Sequence, residues 1–203
     1  MEFKEVVAKR RSIRKFKPEP ISDEQIYQIL EAARLAPSGT NRQPWRFLVV
    51  KSQEIKQKIY EAAFKQKFLL EAPVIIVALA DLNTFYNTRI RLEELVAAGV
   101  FSAEEVNSYP GLNYTPSSPE ELKKFIPQAM LNTAIAIEHL ILAATDLGLG
   151  SCWVQLFNPK EVLKAVNLPP NYVVTALVPL GYPAQDPPPR PRISLEEIIL
   201  CII

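Results

Sequence analysis

Hydrophobic positions in the first part of the chain recur at the spacing of helices that bury one side. Residues 2–9 show this pattern over a short stretch, and a longer apolar stripe follows Ser22. Ser22 and Gln25 have the spacing of a capping box, which favours a helix start at that point. We expect this second helix to end at Pro37, because proline cannot continue helical hydrogen bonding.

Apolar runs further along the chain have the length of buried strands. Residues 44–51, 73–80 and 172–180 form three such runs, and residues 151–155 form a shorter extended segment. These strands do not alternate strictly with single helices, as they would in a doubly wound fold. The pattern therefore predicts an α+β fold, in which helices wrap a mixed central sheet.

Further helices are predicted over residues 53–70, 82–98 and 159–166. The longest apolar stretch, residues 129–148, contains charged side chains, which are costly near the centre of a membrane span. We interpret it as a buried central helix. Residues 99–119 contain three prolines and many polar residues, and they predict an irregular excursion.

Length and charge narrow the class of protein. The 203 residues fit one domain, so we expect a single unit over residues 1–203 with an excursion at about residues 82–127. Lysine and arginine number 23 and aspartate and glutamate number 22, so no uniform charge attracts nucleic acid or a membrane surface. The charged N-terminal stretch lacks the apolar centre of a signal peptide, which favours a cytoplasmic location.

The sequence offers few metal ligands and no dedicated dinucleotide-binding loop. Cys152 and Cys201 are the two cysteines and His139 is the single histidine, so neither a disulfide framework nor a zinc site is expected. The six glycines form neither a G-x-G-x-x-G nor a P-loop arrangement. A nicotinamide cofactor would therefore have no domain of its own.

Basic residues occur in extended or turn positions at both ends of the chain, with a serine in the first group: Arg10, Arg11, Ser12 and Arg14, then Arg190 and Arg192. Guanidinium groups and a hydroxyl are donors that suit a phosphate. A solvated run of surface charge is the simpler explanation of such a pair of arginines. The arginines alone therefore leave both explanations open.

A loop rich in hydrogen-bond donors and acceptors, residues 37–45, connects the second helix to the first strand. Such a loop can bind the edge of a polar ring. Ordinary connectors have the same composition, because turn residues are abundant in them. The loop alone does not decide between a binding role and a structural one.

Five short motifs, taken in order, resemble those of the nitroreductase family. They are Arg10-Arg11-Ser12-Ile13-Arg14, the stretch from Ala36 to Trp45, Glu71-Ala72-Pro73, the stretch from Gly148 to Trp153, and Leu180-Gly181-Tyr182-Pro183 with the late pair Arg190 and Arg192. Each motif is weak by itself. The ordered set is specific, because it covers nearly the whole chain.

The resemblance implies FMN bound between the subunits of a homodimer. It places Arg10, Ser12 and Arg192 at the phosphate and ribityl chain, with Arg11 and Arg190 beside them, and Arg14 at the pyrimidine end of the ring. The residues implied around the ring are Pro37, Ser38, Gly39 and Asn41 of the other subunit, Gln66 at the ring edge, and Gln155 and Leu156 near N5. No catalytic side chain and no metal are implied, because the flavin carries the chemistry.

The implied activity is a ping-pong oxidoreductase reaction. NADH or NADPH would reduce the flavin, and a nitroaromatic, a quinone or a similar small-molecule acceptor would reoxidise it. Three alternatives stay open at this point: a specialised relative that performs reductive dehalogenation or flavin fragmentation, a flavin-binding carrier or sensor without turnover, and a scaffold without a cofactor.

The C-terminal residues 193–203 are apolar enough to require burial. In the family, the C-terminal segment reaches over to the partner and adds to its sheet, so the resemblance implies a homodimer with exchanged C-terminal segments. Packing of the tail on its own subunit is the alternative, because chain ends are often loose unless they dock.

Overall fold

The computed structural model describes residues 1–108 and 114–203. Within this part, the chain forms a four-stranded sheet with helices on both faces. The strands are β1 (Trp45–Val50), β2 (Val74–Asp81), β3 (Gly150–Ser151) and β4 (Tyr172–Gly181). The helices are α1 (Phe3–Lys9), α2 (Asp23–Arg34), α3 (Gln53–Ala62), α4 (Phe68–Glu71), α5 (Thr88–Ala97), α6 (Ala103–Ser108), α7 (Pro119–Leu122), α8 (Ile126–Asp146), α9 (Pro159–Ala165) and α10 (Leu195–Ile198). Short 3₁₀ turns cover Gly39–Asn41, Leu82–Phe85 and Lys123–Phe125.

The strand order is β1-β2-β4-β3, and each neighbouring pair is antiparallel. A parallel bridge between Ser12 and Ser151 extends the sheet beyond β3. The predicted α+β class is confirmed. A mixed sheet was predicted, and in the described residues the parallel part is limited to this bridge. The three strand pairs are all antiparallel.

Strand β2 is buried on both faces because its side chains alternate between two apolar cores. Val74, Ile76 and Ala78 belong to the core that includes residues of α2 and α8. Ile75 and Val77 belong to the core that includes residues of α3 and α9. This arrangement explains the continuous apolar run from which the strand was predicted.

Helix α8 begins at Ile126 and ends in a Schellman motif. Gly148 adopts the left-handed conformation with φ of 74°, as its position after the apolar stretch predicted. Gly148 N donates to Thr145 O at 3.0 Å, and Leu149 N donates to Ala144 O at 2.8 Å. These two bonds satisfy carbonyls that the helix end leaves open and direct the chain into β3.

The stretch Pro119–Asp146, which includes α8, is long and apolar enough to cross a membrane by length and composition. The core helix of a soluble protein passes the same test. Ala136, Ile137 and Leu140 of α8 are fully buried against the sheet. The packing agrees with the interpretation of this stretch as a core helix.

Two predicted helices are interrupted. The helix predicted over residues 53–70 is divided into α3 and α4, because Phe64 and Lys65 between them adopt left-handed conformations with φ of 54° and 60°. The helix predicted over residues 82–98 starts as a 3₁₀ turn and becomes α-helical at Thr88. Apolar periodicity does not reveal either break, since the side chains before and after each break still face the core.

The excursion predicted over residues 99–119 is not irregular throughout, because it contains helix α6. Ser102 N donates to Glu105 Oε2 at 2.7 Å, and Glu105 N donates to Ser102 Oγ at 3.1 Å. This is a capping box, and its Ser-x-x-Glu spacing was legible in the sequence. Residues 109–113 of the predicted excursion lie outside the described residues.

The basic segment after α1 runs along the β3 edge of the sheet. Ile13 N donates to Ser151 O at 2.8 Å, and Lys17 N donates to Tyr182 O at 2.9 Å. The backbone of this segment is therefore fixed against the two strand ends that carry the Gly148 to Trp153 and Leu180 to Pro183 motifs.

Two glycines that pair across β3 and β4, Gly150 and Gly181, make room for this segment. A Cβ atom on Gly150 would lie 2.7 Å from Cγ1 of Ile13, and a Cβ atom on Gly181 would lie 2.8 Å from Cδ1 of Phe16. Neither position tolerates a side chain without movement of its neighbour. The absence of a side chain at both places lets the basic segment approach the sheet.

Candidate functional site

The two basic ends of the chain meet in one cavity of about 660 Å³. Its lining consists of Val7, Ala8, Arg10, Arg11, Ser12, Arg14, Gln185, Pro187, Pro188, Pro189, Arg190 and Arg192. Five arginines therefore surround one space, and none of the lining residues carries a carboxylate. Small-ligand sites commonly have volumes of roughly 300–1,000 Å³.

Two of the five arginines bond to neighbouring carbonyls. Arg11 Nη1 donates to Ala8 O at 2.6 Å and to Arg10 O at 2.9 Å, which closes the end of α1. Arg192 Nη1 donates to Pro191 O at 3.0 Å. These bonds neutralise neither charge, because carbonyl oxygens are uncharged acceptors.

The guanidinium groups of Arg10, Arg14 and Arg190 have neither an ion pair nor a hydrogen bond within residues 1–108 and 114–203. Within the same residues, no group of histidine, cysteine, aspartate or glutamate could hold a metal ion. The cavity therefore presents positive charge without compensation, which is the electrostatic setting for a bound anion.

The buried thiol of Cys152 lies within the field of these three charges. Burial raises the pKa of this thiol, whereas the charges of Arg14, Arg190 and Arg10 lower it. Arg10 and Arg190 come from opposite ends of the chain, so their common effect on one thiol is a second sign that they converge.

The loop over residues 37–45 does not contribute to this cavity. The four residues predicted there are Pro37, Ser38, Gly39 and Asn41, and none of them lines it. Gln43 N donates to Ser38 Oγ at 3.0 Å, and Gly39 N donates to Asn132 Oδ1 at 2.9 Å. Thr40 and Asn41 adopt left-handed conformations with φ of 51° and 52°. The loop is thus held in a strained, ordered conformation.

Gln66, Gln155 and Leu156 form a third group, which also lies outside the cavity lining. Gln66 Nε2 donates to Leu156 O and to Ala63 O, each at 2.8 Å. The structure therefore joins Gln66 directly to the 155–156 segment, which the resemblance only implied to lie around the same ring.

The side chain of Phe68, two residues after Gln66, lies close to an arginine of the cavity. The guanidinium of Arg14 lies 5.9 Å from the centroid of the Phe68 ring, at the outer limit of a cation–π contact. Phe68 is the first residue of α4, and the buried Lys56 fixes the end of this helix by donating from Nζ to Ala72 O at 2.9 Å. Burial lowers the pKa of Lys56.

Comparison with known proteins identifies the family. A family model described as "Nitroreductase family" matches residues 7–182. The chain belongs to the nitroreductase family. The expected resemblance is therefore confirmed. The matched residues include Arg10 to Arg14 but stop before Arg190 and Arg192, which the geometry of the cavity brings to the same place.

Relatives of this nitroreductase-family chain carry related names. It is 34% identical over 202 residues to an NADH dehydrogenase of Thermus thermophilus, with 98% of this chain and 96% of the relative covered. It is 31% identical to an FMN reductase [NAD(P)H] of Bacillus subtilis, with 93% and 68% covered.

A solved structure agrees in fold. It is a crystal structure of a nitroreductase in complex with FMN from Exiguobacterium sibiricum, with a TM-score of 0.81 and 26% identity. The alignment covers 98% of this chain and 96% of the other. The nitroreductase-like fold predicted from the sequence is confirmed.

Three residues that contribute to the arrangement were not predicted. Phe68 and Lys56 connect the cavity to α4, and Asn132 holds the 37–45 loop. Lys56 and Asn132 had a legible signal, since each is a polar residue on the apolar face of a helix, and buried polar groups usually have a defined partner. Phe68 had none, because an aromatic residue beside a core is ordinary packing.

Proposed function

We propose that this chain is an NAD(P)H-dependent flavin oxidoreductase that binds FMN in the arginine-lined cavity and reduces a small-molecule acceptor. The names of the relatives and the FMN complex of the structural neighbour support this class. The observation that carries the proposal is the convergence of Arg10, Arg14 and Arg190, three uncompensated cations from both chain ends, on one cavity.

The donor set of the cavity fits FMN. A phosphate dianion needs several charge-assisted hydrogen bonds, and guanidinium groups can donate two parallel bonds to it. Arg10, Arg190 and Arg192 with the Ser12 hydroxyl would hold the phosphate and ribityl chain. Arg11 would support them indirectly, because its bonds fix the end of α1 beside the cavity.

Arg14 would lie at the pyrimidine end of the ring. A cation at that end stabilises the negative charge that reduction adds there. The Phe68 ring lies 5.9 Å from this guanidinium. When bound, FMN supplies hydride acceptance and donation, so the chain needs no acid–base pair of its own.

The remaining predicted residues would complete the ring site. Pro37, Ser38, Gly39 and Asn41 of a second subunit would border the ring, which is consistent with their exclusion from the cavity of their own chain. The 155–156 backbone would approach the ring from the first subunit. A homodimer is therefore part of the proposal.

NAD(P)H and the acceptor would occupy the same cleft in turn, which gives ping-pong kinetics. The proposed acceptors are nitroaromatics, quinones and similar compounds. The chain's own contribution is to bind, to orient and to supply fixed charge, and such preorganised electrostatic contributions are large in catalysis.

The absorption spectrum of the purified protein, before and after anaerobic addition of NADH or NADPH, tests the proposal. We expect a band near ~450 nm that bleaches on addition, as the chemistry of the cofactor dictates. Colourless protein that releases no FMN would overturn it. A band that does not bleach would favour a carrier or sensor, and bleaching without turnover of nitro compounds or quinones would favour a specialised reductase.

A further inference from the structure

The Leu156–Phe157 peptide group is bonded at both of its ends. Its carbonyl accepts a hydrogen bond from Gln66 Nε2 at 2.8 Å. Its N–H, on Phe157, donates to Gln155 O at 3.2 Å. The second bond spans two residues and makes Leu156 the apex of a tight turn. Gln66 therefore fixes the orientation of a turn that is distant in sequence.

The chain on both sides of this turn is anchored to the body of the protein. Val154 and Leu177 exchange two backbone hydrogen bonds, each of 3.0 Å. On the other side, Asn158 N donates to Ala62 O at 2.8 Å, at the end of α3. Gln155 and Leu156 of the turn are exposed, and Leu156 retains 64% of its accessible surface.

The turn leaves backbone donors without an acceptor in the described part of the chain. In a trans peptide, the carbonyl and the N–H point in opposite directions, and the described residues contain no cis peptide. The Gln155 carbonyl is directed inward to Phe157 N, so the Leu156 N–H is directed away from it. Among the described residues, the backbone N–H groups of Gln155 and Leu156 have no acceptor.

We infer that Gln66 is a positioning residue, which holds the 155–157 turn so that the Leu156 amide is a fixed hydrogen-bond donor to the flavin ring. This inference rests on the proposed function. Both N–H bonds of the Gln66 amide are used by carbonyls, which leaves Oε1 alone to touch a ligand. The main effect of Gln66 is therefore transmitted through the backbone of the turn.

The substitution Gln66→Met tests this inference, because methionine keeps the length of the side chain and removes both donors. In the apoprotein, we expect hydrogen exchange of the Phe157 amide to accelerate on the order of tenfold, the effect of losing one net hydrogen bond. In the FMN-loaded protein, we expect the midpoint potential of the flavin to shift, because the turn would no longer hold its donor in place, and kcat to change more than KM for NAD(P)H.

Two further variants sharpen the test. Gln66→Lys, which restores a donor at this position, should recover the slow exchange of Phe157. Gln57→Met on α3 is the matched control, since Gln57 bonds only the exposed Glu61 at 3.3 Å, and it should change neither measurement.

Unchanged Phe157 exchange in Gln66→Met would overturn the inference. Faster exchange with an unchanged flavin potential would also overturn it, since the turn would then not act on the ring. Absence of FMN from the wild-type protein is a separate result, which would overturn the proposed function.

Discussion

The arginines of the cavity differ in what holds them, and this difference predicts different roles. Arg11 is committed to the carbonyls of Ala8 and Arg10, whereas Arg190 has no partner in the described part of the chain. An uncommitted guanidinium close to other cations is repelled until an anion binds. The free arginines should therefore contribute most to FMN affinity, and Arg11 should contribute mainly to the stability of α1.

Arg190→Met should weaken FMN binding on the order of 10- to 100-fold, because it removes charge-assisted hydrogen bonds to the phosphate. Fluorescence titration of the apoprotein with FMN measures the dissociation constant. Arg34→Met is the matched control, since Arg34 pairs with Glu31 on the exposed face of α2. Equal affinity of Arg190→Met and wild type would contradict the assignment.

The same substitution has a readout that does not involve the cofactor. The charge of Arg190 lowers the pKa of the Cys152 thiol, against the larger effect of burial. Arg190→Met should therefore raise this pKa and move the alkylation of Cys152 by iodoacetamide to higher pH. The measurement uses apoprotein in a Cys201→Ser background. An unchanged pH dependence would show that Arg190 lies too far from Cys152 to act on it.

Arg42 is a buried cation that apolar patterning did not predict, with 7% of its surface exposed. Its guanidinium lies 4.8 Å from the centroid of the Phe85 ring, and Nε donates to Thr88 Oγ1 at 3.3 Å. Burial lowers its pKa. Arg42 thereby connects the 37–45 loop to the start of the predicted excursion at about residues 82–127.

Arg42→Lys should lower the free energy of unfolding of the apoprotein by about 1–2 kcal/mol, because lysine changes the cation over the Phe85 ring and removes the Nε donor to Thr88. Urea denaturation measures this change. Arg34→Lys on the surface should leave stability within about 0.5 kcal/mol of the wild type. Equal midpoints for both variants would show that the Phe85 contact contributes nothing.

At the scale of elements, capping and turn residues predicted helix boundaries better than hydrophobic periodicity did. The capping box at Ser22 and the glycine after α8 mark real boundaries. The break between α3 and α4 escaped prediction, because the left-handed residues Phe64 and Lys65 are not residue types that signal it. The extended segment predicted over residues 151–155 is a strand only at its start, since β3 covers Gly150–Ser151 and Val154 forms an isolated bridge to Leu177.

The contact between the basic segment and β3 depends on Gly150. Gly150→Ala should lower the free energy of unfolding by about 1–3 kcal/mol, because the new Cβ would meet Ile13 at 2.7 Å. It should also weaken FMN binding, since the displaced segment carries Arg10 and Arg14. Thermal denaturation and FMN titration measure the two effects.

Gly39→Ala is the control for apoprotein stability. A Cβ atom there would make only an ordinary contact with Gln128 at 3.7 Å, so the melting temperature should stay close to that of the wild type. If Gly150→Ala melts at the same temperature as this control, the basic segment does not need the space.

At the scale of the whole molecule, the structure divides the residues that the resemblance implies for the site into three groups, and their membership in one site stays a prediction. The order of the motifs indicated the family, and the convergence of Arg10 with Arg190 agrees with it. The structure adds the division into a cavity, a loop held by Asn132 and a turn held by Gln66. Such groupings depend on contacts between distant residues, which no local pattern encodes.

The C-terminal tail is not packed on its own subunit. Residues 190–203 are exposed throughout, including Leu200 at 96% and Ile202 at 90% of full accessibility. The alternative that the tail folds back on its own chain is therefore wrong for this structure. An exposed apolar segment of this length is consistent with the proposed exchange between subunits.

Removal of residues 193–203 should give a monomeric or insoluble protein with little flavin, because the proposed dimer would lose its exchanged segments. Size-exclusion chromatography with light scattering gives the mass, and absorption gives the flavin content. The full-length Cys201→Ser variant is the control, since it excludes a contribution from a disulfide. A truncated protein that stays dimeric with full flavin would refute the exchange.

The meeting of both chain ends in one cavity sets the order of events during biogenesis. A nascent polypeptide that has not yet received residues 185–192 lacks six of the twelve residues that line the cavity, among them Arg190 and Arg192. Occupation of this cavity by FMN would therefore require translation to have reached Arg192.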